Sequence, residues 1–339
     1  MPRRKGDTIL FDRPPVVAAW AAVGGKRESE GPIAAGFDLL FEDNRLDQPT
    51  WEKAESELQR HCLEQLLQKA GVPLEKVDLV FGGDLQCQCT ASHYVMRRMD
   101  VPYAGLYGAC STMAEGLGLA ACFAGSGLAY RAAALTSSHF CTAERQYRTP
   151  LDYGAFRTPT AQWTATASGG VMLTPEGKGP LVRAVCFGRV RDYDVTDINN
   201  MGAAMAPAAA GTILRYFADT GERPEHFDAV FTGDLGLVGS RLLADILEQE
   251  GLPLPNHRDC GLILYDRTTQ RVKAGGSGAG CSAAVLGAHI LPMLAKGELR
   301  RVLFIATGAL MSQTTYLQGE SIPGVAHLVE LEANGGAVR

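Results

Sequence analysis

Asp78-Leu79-Val80-Phe81-Gly82-Gly83-Asp84-Leu85 and, far downstream, Asp228-Ala229-Val230-Phe231-Thr232-Gly233-Asp234-Leu235 are two versions of one phrase. Each follows a helix-like segment closed by Gly and Pro: Gly71, Pro73 and Glu75 before the first, Gly221, Pro224 and Glu225 before the second. In the first copy Trp51, Ala54, Leu58, Cys62 and Leu66 fall at helical spacing, with Thr50 as N-cap and Gly71 as terminator. The repeat continues. Gly108-Ala109-Cys110-Ser111 and Gly278-Ala279-Gly280-Cys281-Ser282 each introduce an Ala/Gly-rich helix, followed by the strand-like runs Ala132–Ser138 and Arg301–Gly308. Two copies of helix, strand, helix, strand predict an α/β protein of two pseudo-symmetric halves, each with a mixed, mostly parallel sheet covered on both faces. The halves are expected at residues 1–187 and 188–339, packed as one compact unit. Ligands of such folds bind beyond the carboxyl ends of strands, so the Asp84, Cys110, Asp234 and Cys281 regions should converge between the halves.

The segment Leu106-Tyr107-Gly108-Ala109-Cys110-Ser111-Thr112-Met113 sets a cysteine on a small-residue turn before a helix. A helix N-terminus there offers unpaired N–H groups to a thiolate or a bound anion. The plainer reading is a buried core thiol, the usual fate of a reduced cysteine.

Composition narrows the class. The 339 residues carry 32 basic and 37 acidic side chains, net −5, which gives no electrostatic case for nucleic acid. The nine cysteines are scattered, and Cys87 and Cys89 lack the spacing of a structural zinc site, so a reducing compartment is expected. Asp7, Asp12 and Arg13 come soon after the basic Arg3-Arg4-Lys5 and break any apolar run there, so no signal-peptide core is read. The uncharged stretch 274–295 begins as a glycine loop, leaving Ser282–Leu291 as a buried helix too short to cross a bilayer. No transmembrane segment is expected.

A duplicated α/β chain with a nucleophile-like cysteine before a central buried helix resembles the thiolase superfamily, which includes the condensing ketoacyl synthases. Several longer runs resemble the stage V sporulation protein AD family: Gly83-Asp84-Leu85, Gly108-Ala109-Cys110-Ser111-Thr112, Thr136-Ser137-Ser138-His139 and Thr142-Ala143-Glu144-Arg145-Gln146-Tyr147-Arg148. Met201–Ala210, Asp259-Cys260-Gly261, Gly275-Gly276-Ser277-Gly278 and the Ile322-Pro323 run leading to Ala326-His327 complete the set. The resemblance covers nearly the whole chain. It implies a thiolase-like α/β/α/β/α fold and a protein that binds dipicolinic acid and helps move it, with calcium, into the developing spore. It also implies a homodimer, made in the cytoplasm and held peripherally at the spore inner membrane by other stage V sporulation A proteins. No cofactor is implied beyond calcium arriving as Ca-dipicolinate, and no resident metal site is read.

Against the enzyme pattern the chain departs at two places. Where the condensing enzymes supply an imidazole at the start of the second half, it has Thr232-Gly233-Asp234-Leu235. Where a second Asn or His comes before the second-half helix, it has Gly278-Ala279-Gly280-Cys281-Ser282. Enolate stabilisation calls for imidazole or amide donors, and an anionic Asp234 would raise the thiol pKa, so carbon–carbon condensation is disfavoured. His327 could still pair with Cys110 for acyl transfer or thioester hydrolysis, the enzymatic alternative. A core role for this histidine is an equal reading.

As a receptor, the crevice needs donors for two carboxylates and an apolar slot for a ring. The candidates are the Cys110-Ser111 turn, Ser138 and His139 at the next strand end, and Arg145, Arg148 and Arg157 in an aromatic-rich loop running to Trp163. Asp84 and Asp234 each read first as braces of a turn, and second as carboxylates that attract ligand-bound calcium. Cys281 and His327 complete the candidate set. A third possibility is an adaptor whose pocket is vestigial.

Overall fold

The computed structural model describes residues 2–147 and 157–335. Helix Trp51–Ala70 forms as its spacing predicts. Thr50 accepts the Lys53 N–H at 3.3 Å, Gly71 closes the helix at a φ of 65°, and Ala54, Leu58, Cys62 and Leu66 are buried against the sheet.

The repeat becomes a repeat of sheet order. In the first half the strands run Val16–Gly24, Ala167–Thr174, Ala132–Ser138, Leu79–Gly83, Tyr103–Gly105. In the second they run Leu181–Cys186, Gly324–Glu332, Arg301–Ala309, Ala229–Thr232, His257–Asp259. In each half the first two pairings are antiparallel and the last two parallel, so one strand opposes the other four. The opposing strands, Ala167–Thr174 and Gly324–Glu332, have no counterpart in the helix–strand repeat read from sequence. Leu181–Cys186 pairs along its length with Gly324–Glu332, and its Leu181 also pairs with Val16 of the first half.

Between the first-half and second-half sheets, which join into one 13-stranded sheet where Leu181 pairs with Val16, lie Thr112–Gly125 and Ala279–Val285, the helices at the two repeated cysteine turns. Their Ala and Gly content lets one layer of helix touch strands from both halves without a gap. Trp51–Ala70 covers the first sheet outside, and Met201–Thr220 and Gly236–Gln249 lie outside the second, giving five layers. Among the described residues one helical run, Ala279–Lys296, is long and apolar enough to cross a membrane; most of it is buried in this central layer.

Candidate functional site

Cys110 sits on a tight turn between the Tyr103–Gly105 strand and the Thr112–Gly125 helix. Ala109 before it takes a φ of 50°, a left-handed conformation that costs energy for a residue with a Cβ. The turn is held by Ser111 Oγ donating to the Gly108 carbonyl at 2.6 Å and Thr112 Oγ1 donating to the Ala109 carbonyl at 2.7 Å. Gly308 from the second half backs against it. A Cβ there would lie 2.2 Å from the Gly108 oxygen, so only glycine lets the two halves approach this closely.

Asp234 reaches the same point from the second half, fully buried. Its carboxylate accepts the Ser277 hydroxyl at 3.0 Å, the Gly278 N–H at 2.9 Å and the Thr307 hydroxyl at 2.9 Å. Gly278 adopts a φ of 102°, which turns that N–H inward. The Cys110 thiol lies close enough to feel the Asp234 charge. Burial drives the thiol pKa well above its ordinary value, and the neighbouring Asp234 charge drives it further. Burial also raises the Asp234 pKa, against the hydrogen bonds it accepts from Gly278, Thr307 and Ser277. The thiol therefore stays protonated at neutral pH and is a poor nucleophile.

The half-buried Cys110 opens into a cavity of about 140 Å³, close to the ~150 Å³ that admits a single six-membered ring. Leu85, Tyr147, Ile198, Met201, Met205, Ala309 and Met311 form apolar walls, and Ser277 and Gln162 stand beside the cysteine. Gln162 Nε2 donates to the Asp234 carbonyl at 2.6 Å and the Gly276 carbonyl at 2.8 Å, clamping the two second-half loops together. Among the described lining residues the one cation is Arg157. Its guanidinium lies 5.0 Å from the Phe140 ring and 4.9 Å from the Trp163 ring, and those rings stack on each other at 3.9 Å. It pairs with Glu144, also on the wall, and donates to the Gln162 carbonyl at 2.8 Å.

Of the candidates read from sequence, Cys110 lines this cavity and Asp234 lies directly against it. Several others are committed elsewhere and correct the expectation. Ser111 spends its hydroxyl on the turn, as above. Ser138, fully buried, donates to the Ala165 carbonyl at 2.7 Å and accepts the Gly280 N–H at 3.0 Å, tying the two central loops. Burial lowers the His139 pKa; its neutral ring bridges the Asn44 carbonyl at 2.9 Å and the Cys141 N–H at 3.1 Å. Burial depresses the His327 pKa to about 4, its Nδ1 accepts the Gly188 N–H at 3.1 Å, and it is not among the described residues that line the cavity. Cys281 is fully buried and does not line the cavity. Arg145 lies more than half exposed on a helix, Phe140–Tyr147, where a loop was expected, and pairs with Glu52. Arg148, with Tyr153 and Phe156, lies outside the described residues.

Asp84 does brace a turn. It accepts the Gln86 N–H at 2.8 Å and the Ser92 N–H and hydroxyl at 2.8 and 2.7 Å, all within its own half. Asp84 and Asp234 thus do not meet, and among the described residues no three His, Cys, Asp or Glu side chains cluster as a metal site. Sequence reasoning passed over Gln162, Glu144 and the methionine walls. Met201 and Met205 fall within a run that carried the family resemblance, whereas nothing local distinguishes Gln162 or Met311.

A sequence profile of the family described as Stage V sporulation protein AD (SpoVAD) matches residues 5–332. Stage V sporulation protein AD of Bacillus subtilis (strain 168) is 40% identical over 331 residues, covering 97% of this chain and 98% of that protein. Among solved structures, cerulenin-bound OleA from Xanthomonas campestris superposes with a TM-score of 0.62 at 14% identity, over 97% of this chain and 99% of that one. The 3-oxoacyl-[acyl-carrier-protein] synthase III of Aquifex aeolicus VF5 gives 0.58 at 12%, over 94% and 99%. At such identities these two speak for the fold, which is thiolase-like.

Proposed function

From a chain that belongs to the stage V sporulation protein AD family, and so is a sporulation protein, we propose a non-catalytic receptor for dipicolinic acid built on a condensing-enzyme scaffold. The observation that carries this reading is the fully buried Asp234 carboxylate beside the Cys110 thiol that lines a ring-sized cavity. A condensing enzyme would need a thiolate and an imidazole or amide donor there. This site has a protonated thiol, a carboxylate and, among the described lining residues, no histidine.

The cavity suits a flat anion. Its methionine, leucine and tyrosine walls accept a ring face, and the stacked Arg157 is preorganised to grip one carboxylate. Glu144 already occupies part of that guanidinium, so a ligand carboxylate shares or replaces an internal one. Calcium chelated by the ligand would ease its charge beside Asp234 and Glu144, with the ligand itself supplying oxygens that a resident site lacks. In this reading the protein works as a homodimer at the spore inner membrane, with other stage V sporulation A proteins, in passing dipicolinate into the spore.

Titration calorimetry with dipicolinate, with and without calcium, tests the reading on the native chain and on Arg157→Gln. Saturable heat that the substitution removes supports it. Silence in both conditions, together with acyl labelling of Cys110 by an acyl-thioester, would replace it with the acyl-transfer alternative.

A further inference from the structure

Beside the helix that walls the cavity, the first half buries two carboxyl groups with no cation, among the described residues, as a hydrogen-bond partner. Glu55 and Asp84 are both fully buried. Gln86 joins them: its backbone N–H donates to Asp84 at 2.8 Å and its Nε2 to Glu55 Oε2 at 2.8 Å. Gln59 donates to the Ser92 and Ser137 hydroxyls, at 3.0 and 3.4 Å, and so turns their hydrogens toward Asp84 and Glu55. Asp84, served by two backbone N–H groups and a hydroxyl, is equipped to be the anion of the pair.

Thr142 poses a counting problem at Glu55. Its hydroxyl lies 2.7 Å from Glu55 Oε2 and 2.9 Å from the His139 carbonyl, yet a hydroxyl carries one hydrogen. With Glu55 ionised, both neighbours are acceptors and one contact goes unmade. With Glu55 protonated, Oε2–H donates to Thr142 and Thr142 donates to His139, so every contact is satisfied.

We propose that Glu55 holds a proton which fastens the cavity wall: donated to Thr142, it pins the first turn of the Phe140–Tyr147 helix, whose Ala143, Glu144 and Tyr147 line the cavity. This rests on the reading of that cavity as the binding site. The same helix is tied to Leu85, which also lines the cavity, by Gln146 Nε2 at 2.8 Å and the Tyr147 hydroxyl at 2.5 Å, so a loosened turn disturbs that contact as well.

Among the described residues, the charge acting on Glu55 is that of Asp84, and no cation opposes it. The ionisable side chains on the elements packed around it are Asp84 and Cys89 from the turn after the Leu79–Gly83 strand, Tyr103 from the edge strand, His139, Cys141 and Glu144 of the cavity helix, and the Glu52–Arg145 pair. His139 is neutral, and Arg145 is more than half exposed and held by Glu52. Burial, then the Asp84 charge, push Glu55 up to about 8. Loss of its proton sets two anions side by side, and affinity for the ligand declines as pH rises through that titration.

The test measures hydrogen exchange of residues 140–147 in the full chain at about pH 7 and about pH 9.5, corrected for intrinsic rates, with dipicolinate calorimetry in parallel. In the native protein, protection of this helix and dipicolinate affinity should both fall by roughly tenfold at the higher pH, and in Glu55→Gln, whose amide mimics the protonated acid, by less than about twofold. Equal pH dependence in both proteins, or none in the native one, overturns the proposal. Exchange behaving as expected with no heat of dipicolinate binding at either pH upholds the proton fastening and removes the receptor reading. Should Glu55→Gln fail to fold, infrared spectroscopy decides on the native chain and Thr142→Val. A protonated-carboxyl C=O stretch at neutral pH, lost at alkaline pH and shifted in Thr142→Val, supports the proposal, and its absence overturns it.

Discussion

Asp84 and Asp234 occupy the same place in the repeat, and the two halves use them differently. In the first half Asp84 binds the N–H groups of Gln86 and Ser92 and never leaves its own loop. In the second half that bracing falls to Asp259, which accepts the Leu235 and Gly236 N–H groups at 2.8 and 3.0 Å and the Thr232 hydroxyl at 2.7 Å. Asp234 is thereby released to cross to Ser277, Gly278 and Thr307, beside the Cys110 thiol. Duplication kept the geometry of the turn while a carboxylate from the neighbouring strand took over its support. One half became scaffold and the other turned its spare acid toward the cavity.

The sharpest way to break this comparison is to delete each brace. Asp84→Ala orphans two buried N–H groups and should cost about 3–5 kcal/mol in urea unfolding. Asp259→Ala should cost a similar amount, whereas a loss in either variant below about 1 kcal/mol would mean the turns hold without their acids.

Stability against pH is the next measure, since each half buries acids shifted upward. Glu55 stands at about 8 and Asp259 at about 7, both above their ordinary carboxyl values because of burial. Between those ordinary values and the shifted ones the folded chain binds more protons than the unfolded chain. Their contribution is therefore complete in acid and is lost as pH rises toward about 8. Thermal unfolding should show Tm falling over that window, with a shallower fall in Glu55→Gln; a Tm that rises toward pH 8 contradicts the assignment.

Arg157→Gln sharpens the other side of the comparison, the cavity itself. Dipicolinate affinity should drop by about 10–100-fold, the range for losing one charge-assisted contact, while loss of the Glu144 pair and the Gln162 bond lowers stability by about 1–3 kcal/mol. The smallest effect concerns Cys110. Replacing the charge in Asp234→Asn lowers the thiol pKa, and iodoacetamide labelling of Cys110 should quicken by about tenfold, one unit of pKa. The same quickening in Asp84→Asn would show that Asp234 has no special relation to the thiol.

Much of the fold was legible because the repeated phrases carry local physics. Thr50 and Gly71 bound their helix as capping chemistry requires, and the cysteine turns introduce central helices of small residues. The opposing strands Ala167–Thr174 and Gly324–Glu332 were not legible, since a strand buried on both faces looks the same whichever way it runs. At the site, Cys110 and Asp234 could be read from the departures within a resemblance. Ser138, His139 and His327 misled because a polar side chain at a strand end announces its chemistry and hides its partner. Each turned out to satisfy a backbone group in a neighbouring loop or strand.

By itself, then, the sequence determined the duplicated α/β plan, the central cysteine turn and the missing imidazole opposite it, all written in residue type and short-range spacing. Only the tertiary structure decided which acid braces and which acid reaches the thiol, and which arginine faces the cavity. It also brought Gln162, Met205 and Met311 to one wall. Those choices depend on contacts between residues far apart in the chain. Burial then fixes which polar group must find which partner, and no local pattern records that pairing.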